Sequence, residues 1–439
     1  MKITPSEVSI TVVGLGYVGL PTALSFHNAG FTVKGVDISD SVVSKINSGE
    51  MPFNDDSLEI TIPVGSTNWE VSTDFETTIP DSDFVMITVP TPVTRDNEPD
   101  LRHVISACRS VLENLDRNSH TILTLESTVF PGVTRKVIGD ISEELSIPIN
   151  EIATIAYSPE RVSPGDPLRT VDRVARIIGC DDPRAGKLLA EVYSFITSEE
   201  CSYVGKIEVA EASKLIENVQ RDIDIAFINE LSTVLPKIGL DVEEVLSAAS
   251  TKWNFHRHSP GIGVGGHCIP VDPYYYLDLS ERAGKKSLIS AAARSINESM
   301  PSSSALEVLN LIDRHEKNSP KVLILGYSYK PETGDVRDTP VREFSQIIAS
   351  SGAKVLIYDP FVEQKYFPEW VNTLNSPTEG SGFDMVVLAT AHSSFMNIDW
   401  ENLRSRCNNA LIYDGRRVLS PNKMRESGWE YYGIGYPSA

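Results

Sequence analysis

The sequence predicts an α/β fold made of two doubly wound parallel-sheet domains joined by a long central helix. Three observations predict it. Short β-branched runs alternate with helical patterns from Val8 onward, the same alternation restarts at Lys321, and a long glycine-poor helical run lies between them. Strands alternating with helices imply a parallel sheet covered on both faces.

Residues 8–13 (VSITVV) form a first strand that ends in glycines, and 33–37 (VKGVD) a second. FVMITVP at 84–90 and TILTLEST at 121–128 add two more, with helical patterns such as PTALSFHNAG and DLRHVISACRSVLENL between them. From Ile207 to Leu240 apolar residues recur at helical spacing (Val209, Ala212, Leu215, Ile216, Val219, Ile223, Ala226, Phe227), without glycine until Gly239. This predicts one long helix, or two nearly continuous ones, of a length that suits a dimer contact. After the polar break DRHEKNSP (313–320), KVLILGYSYK, KVLIYDP, FDMVVLATAH and ALIYDGR repeat the opening pattern. The expected domains are 1–205, 206–312 and 313–439.

Bulk properties set limits. A chain of 439 residues, 41% hydrophobic and 23% charged, is an ordinary globular composition with two or three cores. No stretch approaches the ~18 apolar residues of a membrane span, and the N-terminus has no signal-peptide pattern. A cytoplasmic protein is expected. Five cysteines without a C-x-x-C pair argue against a disulfide framework and against a metal site. The net charge of −21 argues against nucleic acid and anionic membrane as partners. Any phosphate ligand must therefore be met by local clusters of cations.

The first chemical motif is Gly14-Leu15-Gly16-Tyr17-Val18-Gly19, between a strand and a helix. Its glycines permit a tight turn, close approach of a pyrophosphate and close helix–strand packing, with the helix N-terminus facing the phosphates. Asp37 stands at the end of the next strand. A carboxylate there accepts from ribose hydroxyls and repels a 2′-phosphate, which favours NAD over NADP. The second motif is Gly265-Gly266-His267-Cys268-Ile269-Pro270-Val271-Asp272-Pro273. Glycines before a cysteine let backbone approach a ligand closely, and neighbouring ionisable groups can activate a thiol. The residue types alone leave an ordinary buried cysteine equally open. The third is Lys214, Asn218 and Arg221, which share one helix face at i, i+4 and i+7. A solvated face is the default for such residues, but on so apolar a helix the stripe can line a cleft and stabilise an oxyanion.

GLGYVGLP, LESTVFPG, YSPERVSPGD, AEASKLIENVQRD, GGHCIPVDPYY and YKPETGDVRDTP occur in that order. Together they resemble the UDP-glucose/GDP-mannose dehydrogenase family over nearly the whole chain. The resemblance implies two Rossmann-like domains, the first for NAD and the last for the nucleotide of a UDP-sugar, and a homodimer or larger homo-oligomer. It implies two successive oxidations at one carbon, with Cys268 as covalent nucleophile. Lys214, Asn218 (its hydrogen-bonding partner), Asp272, Glu160 and Thr128 match catalytic positions. Gly14, Gly16, Tyr17, Val18, Gly19, Asp37, Pro90, Thr91, Thr128 and Arg337 match the cofactor side. Glu160, Arg161, Lys214, Asn218, Arg221, Lys252, Asn254, Arg257, Gly265, Tyr329 and Lys330 match the substrate side.

SPER and GGHC resemble the UDP-N-acetylhexosamine branch. Within it, KWNF (252–255) and NVQRD resemble the gluco and galacto enzymes, while HSPG (258–261) also resembles the mannosamine group; UDP-glucose is a further alternative. His256 and His258 are open as substrate contacts or solvated loop residues. Two other functions are weighed: a two-electron hydroxyacid-type dehydrogenase, which needs no cysteine, and a non-catalytic nucleotide-sugar-binding protein.

Overall fold

A computed structural model describes residues 3–53, 61–94, 96–162, 166, 168–313 and 319–437. Part of the 313–320 break lies outside them. The chain divides into two compact units, Met1–Glu217 with Tyr274–Lys285, and Asn218–Pro273 with Lys286–Ala439.

The first unit holds β1 (Ser9–Val13), β2 (Thr32–Val36), β3 (Trp69–Ser72), β4 (Phe84–Ile87), β5 (Thr121–Leu125), β6 (Ala153–Tyr157), β7 (Arg176–Cys180) and β8 (Cys201–Gly205). They form one sheet in the order β3-β2-β1-β4-β5-β6-β7-β8. Its two faces are covered by separate apolar clusters, one around Ile10, Phe26, Phe31 and Tyr193, the other around Val13, Ile87, Val111 and Leu123. Burial on both faces explains why these strands read as continuous apolar runs rather than alternating ones. The sheet departs from the expected all-parallel arrangement at β6/β7, which is antiparallel. A parallel neighbour needs a helical crossover, and between β6 and β7 the described residues hold only the short turn Val171–Arg173.

The second unit holds β9 (Lys321–Leu325), β10 (Lys354–Tyr358), β11 (Asn372–Thr373), β12 (Met385–Leu388), β13 (Leu411–Asp414) and β14 (Glu430–Gly433). Their order is β11-β10-β9-β12-β13-β14, parallel throughout, the same winding as the first six strands of the other sheet. Two doubly wound Rossmann-like sheets are therefore present.

The long helix runs Ile207–Val234, shorter than expected at its C-terminal end. Pro236 cannot donate to the helix ladder, so the chain tightens into the 3₁₀ turn Leu235–Ile238 and stops at Gly239, whose φ is 78°. Val209, Ile216, Phe227 and Val234 form one exposed stripe along this helix, since spacings of 7 and 11 return to the same side of a 3.6-residue helix. Among the described residues no helix is long and apolar enough to cross a membrane, and no group of three or more His, Cys, Asp or Glu could hold a metal ion.

Candidate active site

In the first unit the glycine turn leads from β1 into the helix Gly19–Asn28. Gly14 has φ 89°. A Cβ on Gly19 would lie 1.8 Å from the Gly14 carbonyl oxygen and 2.4 Å from Thr88 Oγ1, whereas one on Gly16 would meet nothing within 4 Å. Gly14 and Gly19 thus serve the turn and the packing, and Gly16 leaves open space where a pyrophosphate can approach. Asp37 is held by backbone amides: Leu15 N donates to Oδ2 at 2.7 Å and Ser39 N to Oδ1 at 2.9 Å. That fixes the carboxylate beside the turn, where ribose hydroxyls would donate to its remaining lone pairs. These residues fit the adenosine half of NAD. Tyr17 stacks on Phe53. We expect Gly19→Ala to weaken NAD binding at least ~10-fold, because the added methyl can be admitted only by moving backbone; calorimetric titration with NAD checks this, and an unchanged Kd would refute it.

Pro90 and Thr91 follow β4, Thr128 follows β5 and Glu160 follows β6. All sit beyond the carboxyl ends of parallel strands, where doubly wound sheets bind ligands. Glu160 is buried, and its carboxylate accepts from the amides of Arg161 and Val162 and from Arg176. Arg176 also donates to Glu126 at 2.9 Å, and Tyr193 Oη donates to Glu126 at 2.6 Å. Glu126 and Arg176 are completely shielded from solvent. Burial, with the neighbouring Glu160 charge, pushes the Glu126 carboxyl up, against the pull of Arg176. The Arg161 guanidinium pairs with Glu217. Lys214 is buried on the long helix. Glu126 and Arg176 were not among the expected site residues. Their signals were a carboxylate just after β5 and an arginine heading an otherwise apolar strand.

In the second unit, Cys268 is exposed. Its loop is not separate from the core, since Ile262 is fully buried in the cluster around Val322 and Phe344. Asp272 is the first residue of the helix Asp272–Arg282 rather than a loop residue. It is buried and accepts a 2.5 Å hydrogen bond from Asn218 Nδ2. The Asn218 amide thus meets Asp272. The close approach permitted by Gly265 and Gly266 is to protein. A Cβ on Gly265 would lie 2.7 Å from both Asp338 O and Tyr329 Cβ, and one on Gly266 2.7 Å from the Tyr329 ring. Gly266 N donates to Arg337 O at 3.2 Å. The segment carrying Tyr329, Lys330 and Arg337 is thereby tied to the cysteine loop. Burial, then the Arg337 charge, lowers the His267 pKa, which keeps its imidazole neutral at neutral pH.

The second sheet repeats the first at its ligand edge. Gly326 has φ 90°, and Tyr327 N and Ser328 N donate to Asp359 Oδ2, as Leu15 N does to Asp37. Arg337 forms a bidentate pair with Asp335. Arg221, Lys252 and Asn254 are exposed, as is Trp253. Arg257 pairs with Glu243, and His258 lies 3.7 Å from Asp224. Among the other thiols, burial pushes Cys108 and Cys407 up to about 12 and raises Cys180 and Cys201.

Family models of the UDP-glucose/GDP-mannose dehydrogenase family match in three blocks: the NAD binding domain at 8–197, the central domain at 208–299 and the UDP binding domain at 323–421. The chain belongs to this family. It is an NAD-dependent nucleotide-sugar dehydrogenase, an oxidoreductase. A UDP-N-acetyl-D-glucosamine 6-dehydrogenase of Pseudomonas aeruginosa is 34% identical over 95% of this chain and 98% of its own. A UDP-N-acetyl-D-mannosamine dehydrogenase of Pyrococcus horikoshii is 34% identical over 97% and 99%. The solved UDP-D-ManNAc dehydrogenase structure from Pyrococcus horikoshii superposes with a TM-score of 0.86 at 31% identity, covering 98% and 99% of the two chains. An NDP-N-acetyl-D-galactosaminuronic acid dehydrogenase from Methanosarcina mazei superposes at 0.81 with 28% identity, covering 98% and 95%.

Proposed function

We propose that the dehydrogenase oxidises the C6 hydroxymethyl group of a UDP-N-acetylhexosamine to a carboxylate, with UDP-N-acetylglucosamine or its galacto epimer as substrate. One observation carries the chemistry: of the five cysteines, Cys268 alone is exposed, and it stands one helical turn before Asp272, whose buried carboxylate is held by Asn218.

NAD, when bound, accepts one hydride at each oxidation, so two molecules are consumed. Between those oxidations the chain's own groups act. The alcohol first becomes an aldehyde, with Lys214 stabilising the developing negative oxygen. The Cys268 thiolate then adds to the aldehyde carbon, giving a thiohemiacetal that cannot diffuse away. Loss of the second hydride leaves a thioester. Water adds to its carbonyl, the carbon–sulfur bond breaks, and the thiolate is regenerated. Asp272, oriented by Asn218, accepts the proton from that water. Thr128 and Glu160 act at the reacting end of the cofactor side, with Pro90, Thr91 and Arg337 as further cofactor contacts. Tyr329, Lys330 and the Gly265 backbone hold the nucleotide sugar. Arg161, Arg221, Lys252, Asn254 and Arg257 contribute to its recognition.

The segments KWNF and NVQRD support the gluco or galacto sugar. HSPG (258–261) supports a second reading, the manno epimer, as does the 34% identity to a mannosamine enzyme. NADH counted per sugar consumed, over a panel of UDP-sugars, tests the proposal. Two per UDP-N-acetylglucosamine or galacto epimer is expected. One would favour a simple alcohol dehydrogenase, none a binding protein, and preference for the manno sugar the second reading. We further propose a homodimer through the exposed stripe Val209, Ile216, Phe227 and Val234.

A further inference from the structure

The long helix carries a second polar feature besides Lys214. Asn218, Asp222 and Asn229 lie at i, i+4 and i+11, on one side of the helix, and all are buried. Each faces a partner within its own unit. Asn218 Nδ2 donates to Asp272. Asp222 receives a bidentate pair from Arg294, with Nε at 2.9 Å, and Asn297 Nδ2 donates to its Oδ1 at 2.7 Å and to its carbonyl at 3.0 Å. Asn229 Nδ2 donates to Asn297 Oδ1 at 2.9 Å. The outer ends of this network reach the cysteine loop. Asn229 Oδ1 accepts from Gly261 N at 3.0 Å, and Arg294 Nη1 donates to Pro270 O at 3.4 Å. Every polar atom of the two asparagine amides is thus used, and the loop is held before Cys268 at Gly261 and after it at Pro270 and Asp272.

We propose that Asn229, Arg294 and Asn297 are positioning residues for the Cys268 thiol, an inference that rests on Cys268 being the nucleophile. A buried ion pair contributes little net stability over an apolar replacement, and its best-attested use is to specify one arrangement. Here the arrangement specified is that of a glycine-rich loop with little stiffness of its own. A reacting group misplaced by ~1 Å can cost ~100-fold in rate, so a clamp that touches no substrate still governs turnover. The network is closed on itself: Asp222 fixes Arg294 and Asn297, and Asn297 fixes which way the Asn229 amide points. Loss of Asn229 therefore frees the loop at Gly261, and loss of the Arg294 fork frees it at Pro270.

Arg294→Lys and Asn229→Ala test this. Lysine keeps a charge opposite Asp222 but lacks the fork that spans Asp222 and Pro270 at once; alanine removes the Gly261 acceptor. Both variants should show kcat reduced ~10-fold or more, KM for NAD unchanged, and slower alkylation of Cys268 by iodoacetamide across the pH profile. Tyr413→Phe, which removes the part-buried hydrogen bond to Glu307 in the same unit, should lower the melting temperature and leave the alkylation profile in place. In the wild-type protein the Gly261 amide should resist hydrogen exchange as strongly as the amides of the long helix, a measurement that needs no variant. Exchange of Gly261 at a loop rate overturns the proposal, as do wild-type alkylation and kcat in folded Arg294→Lys or Asn229→Ala while Cys268→Ala is inactive. If Cys268→Ala itself retains full turnover, the reading of the nucleophile fails instead, and the two failures are told apart.

Discussion

Cys268→Ala should lower the rate of uronic acid formation at least ~10³-fold, about 4 kcal/mol of barrier, while leaving the protein folded. Under the proposed function, the reason lies in the second oxidation. A primary alcohol can lose a hydride without covalent help, but an aldehyde has no hydroxyl to deprotonate until a nucleophile adds to it. Without the thiol, only slow hydration can supply that hydroxyl, and the aldehyde can leave. The variant should therefore release at most one NADH promptly per sugar and accumulate aldehyde, detectable by trapping with a hydrazine. Because Cys268 is exposed, removal of its sulfur should shift stability by no more than ~0.5 kcal/mol, so lost activity cannot be put down to unfolding. Two NADH per sugar at the wild-type rate would end the covalent reading.

The largest stability effect is expected at Arg176. Its guanidinium is fully buried, pairs with Glu126 at 2.9 Å and with Glu160, and lies 4.9 Å from the centre of the Tyr193 ring. Arg176→Leu leaves two carboxylates inside the protein without their cation. Breaking a buried pair from one side costs roughly 3–5 kcal/mol, so the melting temperature should fall by roughly 10 °C. The pH dependence has a definite sign. Glu126 already has a raised pKa in the folded protein, and loss of Arg176 removes a contribution that lowered it. The folded variant then binds more protons than the unfolded chain, so its stability falls as pH rises above the unfolded glutamate value of ~4.3 and recovers as pH is lowered. Melting curves between pH 5 and 8 should show the gap to wild type narrowing toward pH 5. A loss below ~1 kcal/mol at pH 7.5 would mean that the cluster is hydrated or already protonated.

Much of the fold was legible because it rests on local signals. β1, β2, β4, β5, β9, β10, β12 and β13 each read as apolar β-branched runs, and glycine marks the sharp turns that end β1 and β9. β6 (ATIAY), β7 (RIIGC) and β14 (EYYG) escaped notice, and the other missed strands have weak patterns. β3 (WEVS) is short and half-polar, β8 (CSYVG) is only partly buried along its length, and β11 has two residues. The antiparallel turn at β7 leaves no mark in the residues themselves, because strand direction is decided by the connection. The end of the long helix needed one local fact, Pro236, to be placed correctly.

For the site, Gly14 and Asp37 were legible from residue type and spacing, since turn geometry and charge belong to single residues, whereas Cys268 and Lys214 stood out only through the family motifs around them. Partners were not legible. That Asn218 meets Asp272, that Gly265 and Gly266 make room for Tyr329, and that Arg176 sits between Glu126 and Glu160 are relations between positions far apart in the chain. Such relations depend on which helix faces which loop, and that is set by the packing of the whole unit. By itself the sequence determined the two-sheet architecture, the nucleotide chemistry and the family. Only the tertiary structure decided which charges are buried together and what holds the cysteine loop, because burial and pairing are properties of neighbours brought together by folding.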